Sequence, residues 1–80
     1  MATLRVTLIF PSDLVREPVI YTVAKNYRLV PNIRKARVTD NAGEATLDFT
    51  GSESDLKHGM EYLTSLGVKV KPVGSQPDRP

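Results

Sequence analysis

Ala36-Arg37-Val38-Thr39-Asp40-Asn41-Ala42-Gly43-Glu44-Ala45-Thr46-Leu47-Asp48-Phe49-Thr50 decides how the chain folds. Ala45, Leu47 and Phe49 alternate with Thr46, Asp48 and Thr50, the period of two of a strand with one buried face. Before it, Asp40-Asn41-Ala42-Gly43 supplies turn chemistry, since Asn and Gly tolerate positive φ. The stretch therefore reads as the second half of a hairpin, and everything else is placed relative to it.

Its first half runs from Leu29 to Asp40 and is interrupted by Pro31. A proline there implies an edge position, a bulge or a late start to regular pairing. Asn32, Arg34, Ala36 and Val38 share one parity; Ile33, Lys35 and Arg37 share the other. Ala36 and Val38 point to the core, which would aim Arg34 the same way. A bulge near the start, or an overhanging strand, relieves that conflict.

Working outward, each hairpin strand is flanked by a helix. Pro18 suits a first helical position, and Ile20, Val23, Ala24 and Tyr27 recur at helical spacing, so a helix ends near residues 26–28. On the other side Ser52 and Asp55 resemble a capping box, Leu56, Met60, Leu63 and Leu66 follow the helical period, and Gly67 suits a left-handed cap. The outermost strands are Leu4 to Phe10, stopped by Pro11, and Val68 to Lys71. Pro72 to Pro80 reads as a frayed tail, giving a domain over residues 3–72 and a disordered tail over 73–80.

The order is β-α-β-β-α-β, a ferredoxin-like α+β sandwich of one four-stranded antiparallel sheet with both helices on one face. Right-handed crossovers leave few other topologies.

Composition narrows function mainly by exclusion. With 80 residues, no cysteine and one histidine, His58, the chain has no disulfide, no thiol chemistry and no histidine-based metal cluster. No cofactor is expected. A core this small gains from self-association. A net charge of +2 argues for neither nucleic acid nor membrane, and no apolar run approaches the ~20 residues of a membrane span. No secretory signal opens the sequence, which reads as cytoplasmic.

Catalysis finds no support. The carboxylates of Asp13, Glu17, Asp40, Asp48, Glu53 and Asp55 show no spacing that would set two in one cleft, and His58 falls among exposed positions of the second helix. The sheet face away from the helices should carry Arg5, Thr7, Ile9, Ile33, Lys35, Arg37, Thr46, Asp48, Thr50, Lys69 and Lys71. Solvated cross-strand ion pairs account for such a face. An RNA-binding sheet would instead carry aromatics for base stacking, and Thr7, Ile9, Thr46 and Asp48 are not aromatic. A binding site fits better where Phe10-Pro11 leaves the first strand and Asn32-Ile33 enters the second, beside an open sheet edge.

Phe10-Pro11-Ser12, Arg16-Glu17-Pro18-Val19-Ile20, Asn32-Ile33, Ala45-Thr46-Leu47-Asp48-Phe49-Thr50-Gly51 and Tyr62-Leu63-Thr64-Ser65-Leu66-Gly67-Val68-Lys69-Val70, in this order, resemble the NIL domain, an ACT-like family. The resemblance runs from about Thr3 to Lys71. It implies the regulatory domain found at the C-terminus of methionine ABC importer ATPases, where paired domains bind methionine at their interface; other members stand alone or are fused to ferredoxin-like modules. Asn32-Ile33 match the family's Asn-Ile-Leu motif, with Arg34 at the leucine. The resemblance makes Asn32 a candidate ligand contact, and Arg34 either an obstacle to an apolar side chain or a partner for a carboxylate.

The expectation is thus a homodimeric sensor of a small amino acid, methionine foremost, with Phe10, Pro11, Asn32, Ile33 and Arg34 at the site. The alternative is a ligand-free interaction module that docks on a transporter or electron-transfer partner. Neither nucleic acid nor membrane insertion is expected.

Overall fold

The computed structural model describes residues 1–15, 17–39 and 41–76, with 74–76 as backbone only. Arg16, Asp40 of the expected turn and residues 77–80 of the expected tail lie outside the described residues. The elements follow as β1 (Ala2–Phe10), a 3₁₀ turn (Ser12–Leu14), α1 (Val19–Tyr27), β2 (Val30–Val38), β3 (Gly43–Gly51), α2 (Glu53–Ser65) and β4 (Lys69–Gln76). The strands form one sheet in the order β2-β3-β1-β4, with every neighbouring pair antiparallel. This is the ferredoxin-like α+β sandwich.

The core lies between the two central strands and the helices. Val6 and Leu8 of β1 and Ala45, Leu47 and Phe49 of β3 meet Val19 and Val23 of α1 and Leu56 and Leu63 of α2. The alternation read from the sequence places each of these strand residues inward. On the opposite face β1 and β3 pair through polar side chains: Thr3 with Thr50 and Thr7 with Thr46, each at 2.9 Å, and Arg5 with Asp48 at 2.7 Å.

The local signals act as their chemistry requires. The Ser52 hydroxyl accepts from the Asp55 N–H at 3.0 Å and starts α2. Gly67, with φ of +97°, follows its last turn. Pro18 is the N-cap of α1 rather than its first residue, and Arg28 ends that helix in the left-handed region at φ +58°. Leu29 then turns inward, held between Gly51 and Gly59. A Cβ at either glycine would come within 2.7 or 2.8 Å of a Leu29 methyl carbon.

Two local readings change. Neither Asn41 nor Gly43 adopts the positive φ expected of the turn; among the described residues only Arg28 and Gly67 do. Instead the Thr39 hydroxyl accepts from the Ala42 N–H at 3.1 Å, and the Thr39 N–H donates to the Ala42 carbonyl at 2.8 Å. The last strand does not stop before Pro72. It continues to Gln76 because β1 begins at Ala2 and offers ladder partners that far, with a register shift opposite Arg5 and Val6. The bulge that the sequence reading offered for this strand lies between Ile33 and Lys35, and its position arranges the site.

Candidate functional site

β2 is the edge strand that Pro31 foretold. The bulge makes Arg34 the extra residue: Ile33 pairs with Leu47 and Lys35 with Thr46. One additional residue inverts the alternation, so Pro31, Ile33, Ala36 and Val38 share the helix-side face with Phe49, Leu47, Ala45 and Gly43. The sequence reading expected Ile33 on the open face, and the structure puts it on the helix side; for Arg34 it expected a bulge or an overhanging strand to relieve the core-facing parity, and the structure shows the bulge. Lys35 and Arg37 remain on the open face, opposite Thr46 and Glu44.

No helix covers this strand. All nine of its residues are exposed, including Ile33 at 55% and Val38 at 68%. With Tyr21 of α1, also exposed, they leave an apolar strip along one edge of the sandwich.

Two depressions flank Ile33. The first, about 250 Å³, lies between the start of α1 and the hairpin end of β2; Phe10, Val15, Ile20, Ala36 and Val38 line it, with Glu17 and Glu44 as its charged residues. The second, about 530 Å³ and shallower, follows α1 past Tyr21, Ala24 and Lys25 to Leu29 and Pro31. Their lining suits an apolar side chain, or another apolar surface.

On the open face, the Arg5 guanidinium donates to both oxygens of Asp48, at 2.7 and 3.1 Å, and Arg34 approaches the same carboxylate at 3.7 Å. The hydrogen bonds from Arg5 hold the Asp48 carboxyl below the usual carboxylate range, aided by the positive charge of Arg5 and Arg34 and opposed by desolvation. Asp48 in turn raises the pKa of Arg5.

Of the five expected site residues, the structure brings two together. Phe10 and Ile33 line the first depression. Pro11 caps the 3₁₀ turn, its carbonyl accepting from the Leu14 N–H at 2.9 Å. Asn32, opposite Asp48, and Arg34, beside it, belong to the other side of the sheet. The sequence reading missed Val15 and Tyr21, and it assigned to the core Ala36 and Val38, which are exposed, and Ile20, which packs against the core and also lines the cleft. The available signal was Pro31 itself: an edge strand beyond the reach of two helices leaves its apolar face open.

His58 is exposed, its Nδ1 at 3.5 Å from the Ser54 hydroxyl. Among the described residues no group of histidine, aspartate and glutamate side chains is placed to hold a metal ion, and no helix is long and apolar enough to cross a membrane.

Comparisons with known proteins agree on this architecture. The C-terminal domain of an ABC transporter ATP-binding protein from Enterococcus faecalis superposes with a TM-score of 0.77. It is 21% identical, over 91% of this chain and 86% of that one, a level at which the likeness is one of fold. No curated protein matches the chain significantly. Residues 4–72 match the NIL domain along nearly the whole sandwich, and the chain belongs to that family of non-catalytic regulatory domains.

Proposed function

We propose that this NIL domain is a cytoplasmic sensor that pairs with a second copy along β2 and takes a small amino acid, methionine first among the candidates, at the junction. The observation that carries the reading is the wholly exposed β2, apolar on its helix side. A long edge strand with unpaired N–H and C=O groups recruits another strand unless something blunts it. Pro31 and the bulge at Arg34 do so only in part and leave Lys35–Val38 regular. Two copies paired there form an isologous interface about a two-fold axis.

The size of the cleft supports a shared site. At about 250 Å³ it falls below the ~300–1,000 Å³ usual for a complete small-molecule pocket. A second protomer laid against Ile33 and Val38 would close it. Pairing also brings Arg34, Lys35 and Arg37 of both copies near one another, a repulsion that the carboxylate of a bound amino acid offsets. Asn32 and Arg34, on that cationic side, are the polar contacts this reading assigns; Phe10 and Ile33 receive the side chain, with Pro11 at its margin.

The position of Asn32, across the sheet from the apolar cleft, favours a second reading. There β2 docks on another protein, a transporter subunit being one such partner, without a small ligand. A thermal-shift series with each amino acid, run beside sedimentation, separates the two. A methionine sensor sediments as a dimer and gains about 2.7 kcal/mol at a hundred times its dissociation constant. Asn32→Ala then loses the shift and keeps the fold. No shift from any amino acid leaves the docking module, and a monomer with no shift that also retains no stoichiometric partner in a pull-down removes both readings.

A further inference from the structure

The register places side chains of the open face in rows across all four strands. One row is Arg37, Glu44, Ile9 and Lys69; the next is Lys35, Thr46, Thr7 and Lys71; a third centres on Asp48 and Arg5. Arg5 and Arg34 are engaged by Asp48. The corner cations Lys35 and Arg37 on β2, and Lys69 and Lys71 on β4, have no carboxylate within ion-pair distance among the described residues. Charge is thus segregated by layer. Among the described residues six cations face two carboxylates on the open face, whereas the helical side carries Asp13, Glu17, Glu53, Asp55 and Glu61 against Lys25, Arg28 and Lys57.

We propose that the open sheet face docks an acidic α-helical segment of a partner protein between two rails of cations, one on each edge strand. The dimensions match. Three inter-strand steps separate β2 from β4 by roughly 14 Å, and a helix with its side chains is about 10–12 Å across. Lysine and arginine arms from the rails reach its two flanks, while its underside rests on Ile9 and the Thr7–Thr46 hydroxyl pair, a low floor. The chemistry argues against a nucleic acid. The rows hold no aromatic side chain for base stacking, the cations form two separated lines rather than one track, and Asp48 and Glu44 stand where a phosphate chain would run. This surface lies across the sheet from the apolar cleft and does not depend on a ligand there.

Fluorescence anisotropy of the 80-residue chain with a labelled 20-residue alanine-rich helix, carrying glutamates along two flanks, tests the proposal. Binding should weaken as salt rises from 50 to 300 mM on the order expected for screened charges. Lys69→Glu/Lys71→Glu on β4 and Lys35→Glu/Arg37→Glu on β2 should each weaken it roughly tenfold or more, a loss of about 1.4 kcal/mol. Lys25→Glu/Lys57→Glu on the helices should change it less than about twofold. Thermal midpoints confirm folding, and glutamine replaces glutamate in any pair that does not fold. No binding, a loss from the β2 pair alone, or an equal loss from the helix pair overturns the proposal. Tighter binding of a uridine 20-mer than of the acidic helix also overturns it and makes the face a nucleic-acid surface.

Discussion

β2 and β3 are each nine residues long, joined by one hairpin and paired along their length, yet their environments are opposite. β3 has six buried residues and forms the floor of the core; β2 has none. Both carry apolar residues on the helix side, Ala45, Leu47 and Phe49 in one and Pro31, Ile33, Ala36 and Val38 in the other. The difference comes from the layer above. Two helices span the central strands and stop short of the edge. Amphipathicity therefore records which face is meant to be covered, and the fold decides whether this chain or another molecule covers it.

Leu47 and Ile33 are register partners, which makes them the sharpest pair for breaking the comparison. Leu47 is 0% exposed, and Leu47→Ala should cost about 2–5 kcal/mol from lost burial and the cavity left behind. For a domain of this size that lowers the melting midpoint by roughly 10 °C or more. Ile33→Ala, one strand spacing (about 4.8 Å) away on the same face, should cost the monomer less than about 0.5 kcal/mol. Parallel melts of dilute protein check both. If Ile33→Ala melts as early as Leu47→Ala even when dilute, β2 already belongs to the folding core. If it melts early only at high concentration, its contacts lie between copies.

Leu29 marks where the chain leaves one regime for the other. It is buried, and the next residue, Val30, is exposed. Its side chain fills the slot made by Gly51 and Gly59, so β2 is anchored at this end by one side chain and two missing Cβ atoms. Gly59→Ala gains about 1 kcal/mol of helix propensity. It also sets a methyl 2.8 Å from Leu29 Cδ1 and 3.4 Å from Val23 Cγ2. Overpacking of about 1–3 kcal/mol outweighs the gain, for a net loss near 1 kcal/mol. Denaturant titration would show it, and Leu29→Val in the same chain should recover part. A Gly59→Ala protein more stable than the parent would mean that Leu29 swings aside without cost.

Much of this arrangement was legible in residue order. Alternation fixed the inward residues of β1 and β3, Ser52 and Gly67 bounded α2, and Pro31 announced the edge. What escaped has a common cause: it depends on a partner distant in sequence or on a single-residue insertion. The parity conflict at Arg34 announced a bulge but not its exact position, and that position sends Ile33 to the helix side. β4 runs to Gln76 because of where β1 begins. The cleft was hidden because Ala36 and Val38 have the pattern of core residues, and only the reach of α1 decides that they line an opening. Asn32 is a candidate through the family motif alone, and its place opposite Asp48 follows from the register.

The open face offers the smallest test, because its polar pairs lie across the two central strands rather than on β2. The Asp48 pKa is depressed in the folded protein, chiefly by the hydrogen bonds from Arg5. A carboxyl bound more weakly by protons when folded than at its unfolded value, near 3.9, contributes stability above that value. The contribution disappears as pH falls through the lower folded pKa, so this part of the stability should be flat above about pH 5 and decline below pH 4. Asp48→Asn removes the titrating group and the charge that draws in Arg34. Melts from pH 7 to pH 3 should then show a variant less stable than the parent at pH 7 and a gap between them that narrows in acid. A gap constant across that range would mean that Arg5 and Asp48 contribute packing and shape to the sheet, and that the cations of β2 are indifferent to the one carboxylate their bulge brings within reach.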